Sequence, residues 1–517
     1  MYVIGCDVGT QSVKAALMGF DGAVLAEASA EYAVHYPQPA WAEQRAEDWL
    51  NGLCEAIGEL RQRYPFDPAH VHAICLATQV DGVVALARDG EPLRNAIIWM
   101  DRRATAECEQ AARRMSPEAM FACSGLNLDA SHVAPKIHWL AQHEPATYAR
   151  ANCFLLPGSY LAYALTGELA VDYSNASSSL LMNVSQRTWS DALCSAFEID
   201  VQRLAPIFPA TQRLGTLRPA LAMRLGLSSR TQVMVGCGDE HAACVGAGVI
   251  TPGVICDIAG TAEPVCAASP HPIFDATHLV ETHCHADPAL WLIENPGFVS
   301  GANYRWFRDE FGAHEMSLAA AQGGSAYALL NELAAPVPPG AQGLIFLPCL
   351  MGAMTPTWNA NARGTFFGLT LAHTRGHMLR ALLEASAYAV RDICDRMRDM
   401  GLPTNELRVV GGGAKGQLWR QIKADVTGLP VTVPEWTECT AIGAGMLALV
   451  GVGAFASPSE AAAQVVRIRE RIDPRPHLRA LYQESYELYR ATYDALLPVF
   501  AQAAGNSNYE PKPTTTI

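Results

Sequence analysis

No CxxC spacing occurs among the 15 cysteines, so neither a zinc ribbon nor a thioredoxin-like redox pair is encoded. Their odd number and scatter give no disulfide framework, and the thiols read as small core residues in a reducing compartment. Positive charge is scarce: 37 Lys and Arg face 51 Asp and Glu, a formal net charge of −14. A chain without a basic stripe has no surface for nucleic acid. Met1 leads straight into the apolar YVIGC, with no basic n-region and no small-residue cleavage site, so no export signal is read and a cytoplasmic location is expected. Long apolar runs are nearly absent too. The one candidate, CTAIGAGMLALVGVGAFASPS at 439–459, has 21 uncharged positions, enough to span a bilayer. Its four glycines and the few large aliphatic residues outside MLALV predict a close-packed buried helix instead, and no membrane partner.

What is present points to two halves. At 517 residues the chain exceeds one core, and two domains of about 250 residues are expected. It opens VIGCDVGTQSVKAAL (3–17): a buried β run, a turn at Gly9-Thr10, then a second β run. VICDIAGTAEPVCAA (254–268) repeats the event, with Cys256 standing 250 positions after Cys6. Strand-like runs at 71–80 and 290–298 and amphipathic helices at 43–63, 101–115, 372–400 and 476–502 surround the two openings. Strand, hairpin and helix repeated twice imply an α/β duplication with a cleft between two lobes. The boundary is placed near 245–253, where GAGVITPG supplies hinge residues, giving domains 1–245 and 246–500. The polar, Pro-rich end reads as a disordered tail over 501–517.

Three turns share one chemistry. In CDVGTQS, CDIAGTAE and VVGGGAKGQ (409–417) an apolar run empties into glycines, and successive backbone N–H groups there can cradle an anion. Thr10, Ser12 and Thr261 add hydroxyls and Lys14 a cation. None of the three carries GxxxxGK[ST], which weighs against a P-loop ATPase. Each alone also reads as an ordinary hairpin. A fourth glycine-framed stretch, VGCGDEHAACVGAG (235–248), holds the adjacent acids Asp239 and Glu240. There a carboxylate can be a catalytic base, a metal ligand or only the N-cap of the following helix.

Together these stretches resemble the FGGY carbohydrate kinases, and most of all their xylulokinase branch. The likeness runs over nearly the whole chain: GCDVGTQSVKAAL, AWAEQRAEDWL (40–50), PLRNAIIWMDRR (92–103), DYSNASSSLL (172–181), GCGDEHAACVGAG, IAGTAE, NARGTFFGLTLAHT (361–374), VVGGGAKGQLWRQIKADVTG (409–428) and TAIGAG (440–445). The resemblance implies a duplicated actin-like (ribonuclease H-like) α/β fold and ATP- and Mg2+-dependent phosphorylation of a terminal sugar hydroxyl. D-xylulose is the expected acceptor. It implies Asp239 as the base that orients the hydroxyl and takes its proton, with Glu240 touching the sugar. Gly9, Thr10, Ser12 and Lys14 would face the phosphates, and Asp7, with Asp239, the Mg2+. Gly260 and Thr261 would meet the phosphates from the other lobe, and Gly411, Gly412, Gly413, Ala414 and Gln417 would line the adenosine. Gln79, Val80 and Asp81 form the expected sugar loop, and a homodimer is the first expectation for assembly.

Three departures loosen the choice of sugar: Val80-Asp81-Gly82 stands where Met-His-Gly is usual, Glu240 replaces Asn, and GAM (352–354) stands where Gly-Glu-Arg is common. Ribulose, fuculose, rhamnulose, glycerol and a tetritol stay open. A non-catalytic actin-like ATPase is a rival, against which GDE and Asp81 count, and a kinase-derived sugar sensor is another, which ATP consumption on adding sugars would separate from an enzyme. Trp99 and Asp101, with Arg103, read equally as a sugar-side group or a strand-end ion pair. His283-Cys284-His285 puts two imidazoles on one strand face without further ligands and reads as structural. Asp239, at a helix N-terminus, is expected to stay ionised in the helix dipole.

Overall fold

In the computed structural model, which describes residues 1–505, the chain opens on a hairpin of β1 (Tyr2–Val8) and β2 (Ser12–Gly19), continued antiparallel by β3 (Val24–Glu31). The apolar run of β1 is buried on both faces, as expected of a central strand. Helix α1 (Ala46–Arg63) lays Trp49, Leu53, Ala56, Ile57 and Leu60 into the core, with acids in its first turn and arginines in its last, matching the macrodipole. β4 (Val71–Thr78) pairs parallel with β1, and β5 (Arg213–Thr216) and β6 (Gln232–Met234) complete the order β5–β6–β4–β1–β2–β3. Helix α2 (Asp239–Ala247) follows.

The second half repeats this plan. β7 (Gly253–Ile258) and β8 (Ala262–Ser269) form the second hairpin, followed by β9 (Glu281–Cys284), β10 (Trp291–Val299) and helix α3 (Gly301–Phe311). After helix α4 (Arg375–Asp399) come β11 (Thr404–Val410), helix α5 (Gln417–Thr427), β12 (Val431–Pro434), helix α6 (Cys439–Gly451), β13 (Ile468–Ile472) and helix α7 (Arg479–Ala504). The sheet order is β9–β10–β8–β7–β11–β12–β13. Strand for strand, β13, β12, β11, β7, β8 and β10 take the places of β5, β6, β4, β1, β2 and β3, with the same parallel and antiparallel pairings. The fold is thus the duplicated α/β architecture read from the two openings, and Cys6 and Cys256 occupy matching positions in the two hairpins.

The halves are joined by α2 and α6, which cross at glycines. A Cβ on Gly443 would lie 1.9 Å from the Ala242 carbonyl oxygen, and one on Gly246 2.1 Å from that of Cys439. Helix α6 also lies directly on β1: a Cβ on Gly5 would stand 2.0 Å from the Ala441 carbonyl oxygen. Its Ala441, Ile442, Ala444 and Leu447 pack with Val3, Ala16, Ala73 and Cys75 of the first sheet, while Cys244 and Ala247 of α2 pack with Cys256, Cys266 and Leu292 of the second. Each sheet is therefore covered in part by a helix from the other half. The uncharged run at 439–459 ends as a helix at Gly451, and among the described residues no helix is long and apolar enough to cross a membrane. Residues 501–504 of the expected tail belong to α7; 506–517 lie outside the described residues.

Because a carbonyl oxygen of a packed helix cannot swing aside, Gly443→Ala should destabilise the protein by about 3 kcal/mol or more, at the upper end of overpacking. Gly58→Ala, in α1, where a Cβ meets nothing within 4 Å, should be neutral or stabilising. Urea midpoints of the two variants check the contrast.

Candidate active site

The first hairpin presents its turn to the cleft. Gly9 N–H donates to the Ser12 carbonyl (3.0 Å), and the Tyr32 hydroxyl donates to the Gly9 carbonyl (2.6 Å). Gln44 Nε2 donates to the Thr10 carbonyl (2.6 Å) and Trp99 Nε1 to the Thr10 hydroxyl (2.9 Å). Gln79 lies behind the turn, buried, with Nε2 donating to Gln44 Oε1 at 2.8 Å. In the second hairpin Gly260 N–H is likewise taken, by the Ile258 and Ala262 carbonyls. Gly411 and Gly413 donate to Thr437 and Ala259, so the third turn is fastened onto the second. The glycine amides thus hold the turns themselves. Among the described residues it is the next amides, Thr10 and Thr261, that have no acceptor in the chain. Gly301, at the start of α3, is required by close approach: its Cβ would lie 2.2 Å from the Gly260 carbonyl oxygen. Ser12 opens β2, Ala414 is buried, and Gln417 opens α5 at an exposed position.

Asp7 and Lys14 face each other across β1 and β2. The Lys14 ammonium also reaches Glu438, immediately before α6, at 2.5 Å, an ion pair that crosses from one lobe to the other. Withdrawal from water, only partly offset by Lys14, holds Asp7 up at about 6, and Glu438 adds to the rise.

Asp239 and Glu240 form the first turn of α2, with Gly238 at the N-cap. Gly238 is held by Ser174 Oγ, which accepts from its N–H (2.9 Å) and is itself bonded to Asp172. A Cβ there would strike Val80 and His241, both at 2.8 Å. Asp239 caps only locally, accepting from Glu240 N–H at 2.9 Å. The helix dipole, expected to favour its ionised form, is outweighed. Loss of hydration and the neighbouring carboxylates of Glu240 and Asp7 drive its pKa well above the ordinary range, and the backbone amides only partly oppose them. Glu240 is raised likewise by burial, and by the neighbouring carboxyl of Glu294 on β10.

Asp81 stands beside this pair in the left-handed region (φ 60°), a conformation Asp adopts more readily than most residues. Lys136 Nζ grips its carbonyl at 2.6 Å, and His132 Nδ1 lies 3.2 Å from its carboxylate. Burial opposes charge on His132, but Asp81, with Glu281 and Asp129, holds the ring up at about 9. Asp81 Oδ1, Gln79 Oε1, His283 Nε2 and Glu294 Oε2 are buried with no hydrogen-bond partner.

Two profiles cover this framework: residues 2–246 match the N-terminal domain, and 257–452 the C-terminal domain, of the FGGY family of carbohydrate kinases. The chain belongs to that family. It is a sugar kinase of the FGGY type. It is 30% identical to the xylulose kinase of Bacillus subtilis (strain 168) over 95% of this chain and 96% of that one. It is 32% identical to the autoinducer-2 kinase of Salmonella paratyphi B over 95% and 94%. The crystal structure of gluconate kinase from Lactobacillus acidophilus superposes with a TM-score of 0.89 at 25% identity, covering 97% and 99%.

Within this FGGY kinase the structure gathers Asp7, Gly9, Thr10, Lys14, Gln79, Asp81, Asp239 and Glu240 about one cleft floor, with Val80 packed on the start of α2. Asp101 is set apart. It is fully buried, and its carboxylate accepts from Ala42 N–H and from the Arg103 backbone and guanidinium, which stacks 3.6 Å from the Trp41 ring. That leaves it no oxygen for a sugar, so it is an ion-pair anchor. Trp99 stands on the turn of the first hairpin, 41% exposed, and not on the acid pocket. His283 and His285 part company. His283 faces His241 in the acid pocket, and His285 is spent on the Val249 carbonyl and Asp287 N–H. Tyr32, Gln44, His132, Lys136, Glu281 and Glu294 were not singled out from sequence.

Free histidine titrates near 6.5, so the His132–Asp81 contribution is complete below pH ~6.5 and disappears as pH rises through about 9. It is worth on the order of 3 kcal/mol at full charge. The stability gap between wild type and His132→Gln in urea titrations should therefore be widest near pH 6 and close towards pH 10. A gap independent of pH would mean a neutral ring.

Proposed function

We propose that this FGGY kinase transfers the γ-phosphate of ATP to the terminal hydroxyl of a neutral ketopentose, with D-xylulose the first candidate. The observation that carries the reading is the acid pair of α2 set against the first hairpin: Asp239 lies close enough to Asp7 for the Asp7 carboxylate to add to the rise that burial and Glu240 impose on it, and the Tyr32 hydroxyl, bonded to that turn, feels both acids. Asp239 is the base of this reading. A carboxyl whose pKa is raised is a stronger proton acceptor once ionised, and it orients the hydroxyl for attack while taking its proton. Glu240 and Asp81 take hydroxyl hydrogen bonds on the sugar side.

The residues fit the nucleotide and metal. A Cβ on Gly9 would meet no protein atom nearer than 3.6 Å and one on Gly412 none nearer than 4.0 Å, leaving room for phosphate oxygens beside the Thr10 and Thr261 amides. Among the described residues no group of three or more His, Cys, Asp or Glu could hold a metal alone, which suits Mg2+, an ion bound through one or two carboxylates plus phosphates. Asp7, with Asp239, would hold it. Bound with ATP, it would supply positive charge against the mutual repulsion of these acids. Lys14, Gly260 and Gly411–Ala414 complete the nucleotide side of the reading.

The acid-rich sugar end favours a neutral acceptor over gluconate, the substrate named for one structural neighbour. Xylulose kinases among the relatives favour D-xylulose, and the 32% identical autoinducer-2 kinase keeps that signal molecule as the second reading.

A coupled ADP-release assay with D-xylulose, other ketoses, polyols, autoinducer-2 and gluconate tests the assignment; D-xylulose should give the highest kcat/KM, and a preference for any other acceptor overturns it. Asp239→Asn should lower kcat by about 100- to 10,000-fold while leaving sugar binding detectable by calorimetry. Near-normal turnover would remove Asp239 as the base.

A further inference from the structure

Glu294 belongs to the second lobe, on β10, buried to 1% exposure and directly across the ladder from Glu281 on β9. Its carboxyl lies beside that of Glu240 on α2 of the first lobe, and Asp81 and Asp239 both act on it through space. Strands and helix from both lobes thus bring acids to one point. Burying carboxylates together with too few cations is unfavourable: the His132 ring serves one oxygen of Asp81, and Lys136 is turned to the carbonyls of Asp81 and Ser131.

The polar atoms around that point are unspent. Glu294 Oε2 and Asp81 Oδ1 receive no hydrogen bond from any amide, hydroxyl or cation of the chain, both ring nitrogens of His241 are likewise without one, and His283 Nε2 makes none, with Glu281 Oε2 standing off at 3.8 Å. His283 and His241 lie with ring centroids 5.7 Å apart. Free acceptors next to imidazoles that either donate or accept suit O–H groups on neighbouring carbons. The lobes cannot drift apart here, because β9 is fastened to the first lobe. Thr282 N–H donates to Gly125, Cys284 N–H to Ser177 Oγ, and Asn127 N–H to Glu281, each within 2.7–2.9 Å.

We propose that Glu294 is a specificity-determining residue of the acceptor site: together with Glu240 and Asp81 it takes hydrogen bonds from adjacent hydroxyls of an uncharged polyhydroxylated acceptor, gripping it from both lobes and refusing a sugar acid. This rests on the reading of the cleft as the acceptor site of a kinase. A purely structural Glu294 would affect stability and every ligand alike, whereas a specificity residue acts on the acceptor and spares ATP.

The test is a comparison of wild type, Glu294→Gln and Glu294→Asp with D-xylulose, L-ribulose, glycerol and gluconate as probes, by calorimetry with each probe and by steady-state kinetics. Wild type should bind at least one neutral probe and reject gluconate. Glu294→Gln should raise the KM for that neutral probe about ten- to a hundredfold with the KM for ATP and the melting temperature nearly unchanged, and should narrow the discrimination against gluconate. Glu294→Asp should recover part of the loss. The proposal is overturned when wild type binds gluconate best or none of the neutral probes, when Glu294→Gln leaves acceptor KM and ranking unchanged, or when ATP and acceptor constants worsen together in a destabilised protein. Preference for L-ribulose or glycerol over D-xylulose, with Glu294→Gln still acceptor-selective, would remove the ketopentose assignment and keep Glu294.

Discussion

Two helices meeting backbone to backbone set the terms for everything else in this molecule. Where α2 crosses α6, Gly246 and Gly443 face carbonyl oxygens at distances no side chain would permit. The contact lets one helix from each half reach the sheet of the other. It also fixes the start of α2, and therefore Asp239 and Glu240, relative to β1 and its phosphate turn. Glycine is unfavourable in helix interiors by about 1 kcal/mol each, and α6 carries Gly443 and Gly445 within three positions. The close approach they permit has to outweigh that penalty. Contact between the halves there is through main chain and small side chains, so the crossing can act as a pivot without large side chains having to repack.

Around that pivot the cleft is organised by carboxylates that lack partners. A buried acid normally meets an arginine or lysine, and elsewhere in the chain it does: Asp101 has Arg103, and Glu384 has Arg380. Asp239, Glu240 and Glu294 instead meet other acids, and only at the edges do Lys14 and His132 answer Asp7 and Asp81. Burial first, and then mutual repulsion, raises Asp239 and Glu240, a state that binding of cations or hydroxyls relieves. Stability is given up locally in the place where ligands enter, and the well-paired ion networks of Arg94, Arg103 and Glu43 nearby keep the surrounding loops rigid.

The hairpins and the acid pair were legible because each is a short contiguous string: Cys-Asp-aliphatic followed by Gly-Thr, and Gly-Asp-Glu before small residues. The duplication followed from the first of these, and the strand order carries it through both sheets. The remainder of the pocket was illegible for a physical reason. Glu294, Glu281 and His132 sit in runs of unremarkable pattern, and His283 stood out only as half of a pair that reads as structural; only pairing across β9 and β10 and docking on the first lobe bring them together. Asp101 shows the opposite failure. It lies beside a tryptophan in a kinase-like stretch, but nothing in the string reveals that Ala42 N–H and Arg103 use up its oxygens. The direction of the shift at Asp239 was misjudged because a helix terminus, worth about 0.3–1 kcal/mol, was weighed without burial and without the carboxylates of Glu240 beside it and Asp7 across from it.

The two hairpins began from one pattern and carry an acid at the matching place, yet the acids have different surroundings. Asp7 faces the cleft with an ammonium that is shared with Glu438, whereas Asp257 is closed off with Lys423, which also binds Glu263. The asymmetry gives a nearly twofold object a polarity: in one copy the hairpin acid is neutralised within its own half, and in the other its cation is shared across the two halves.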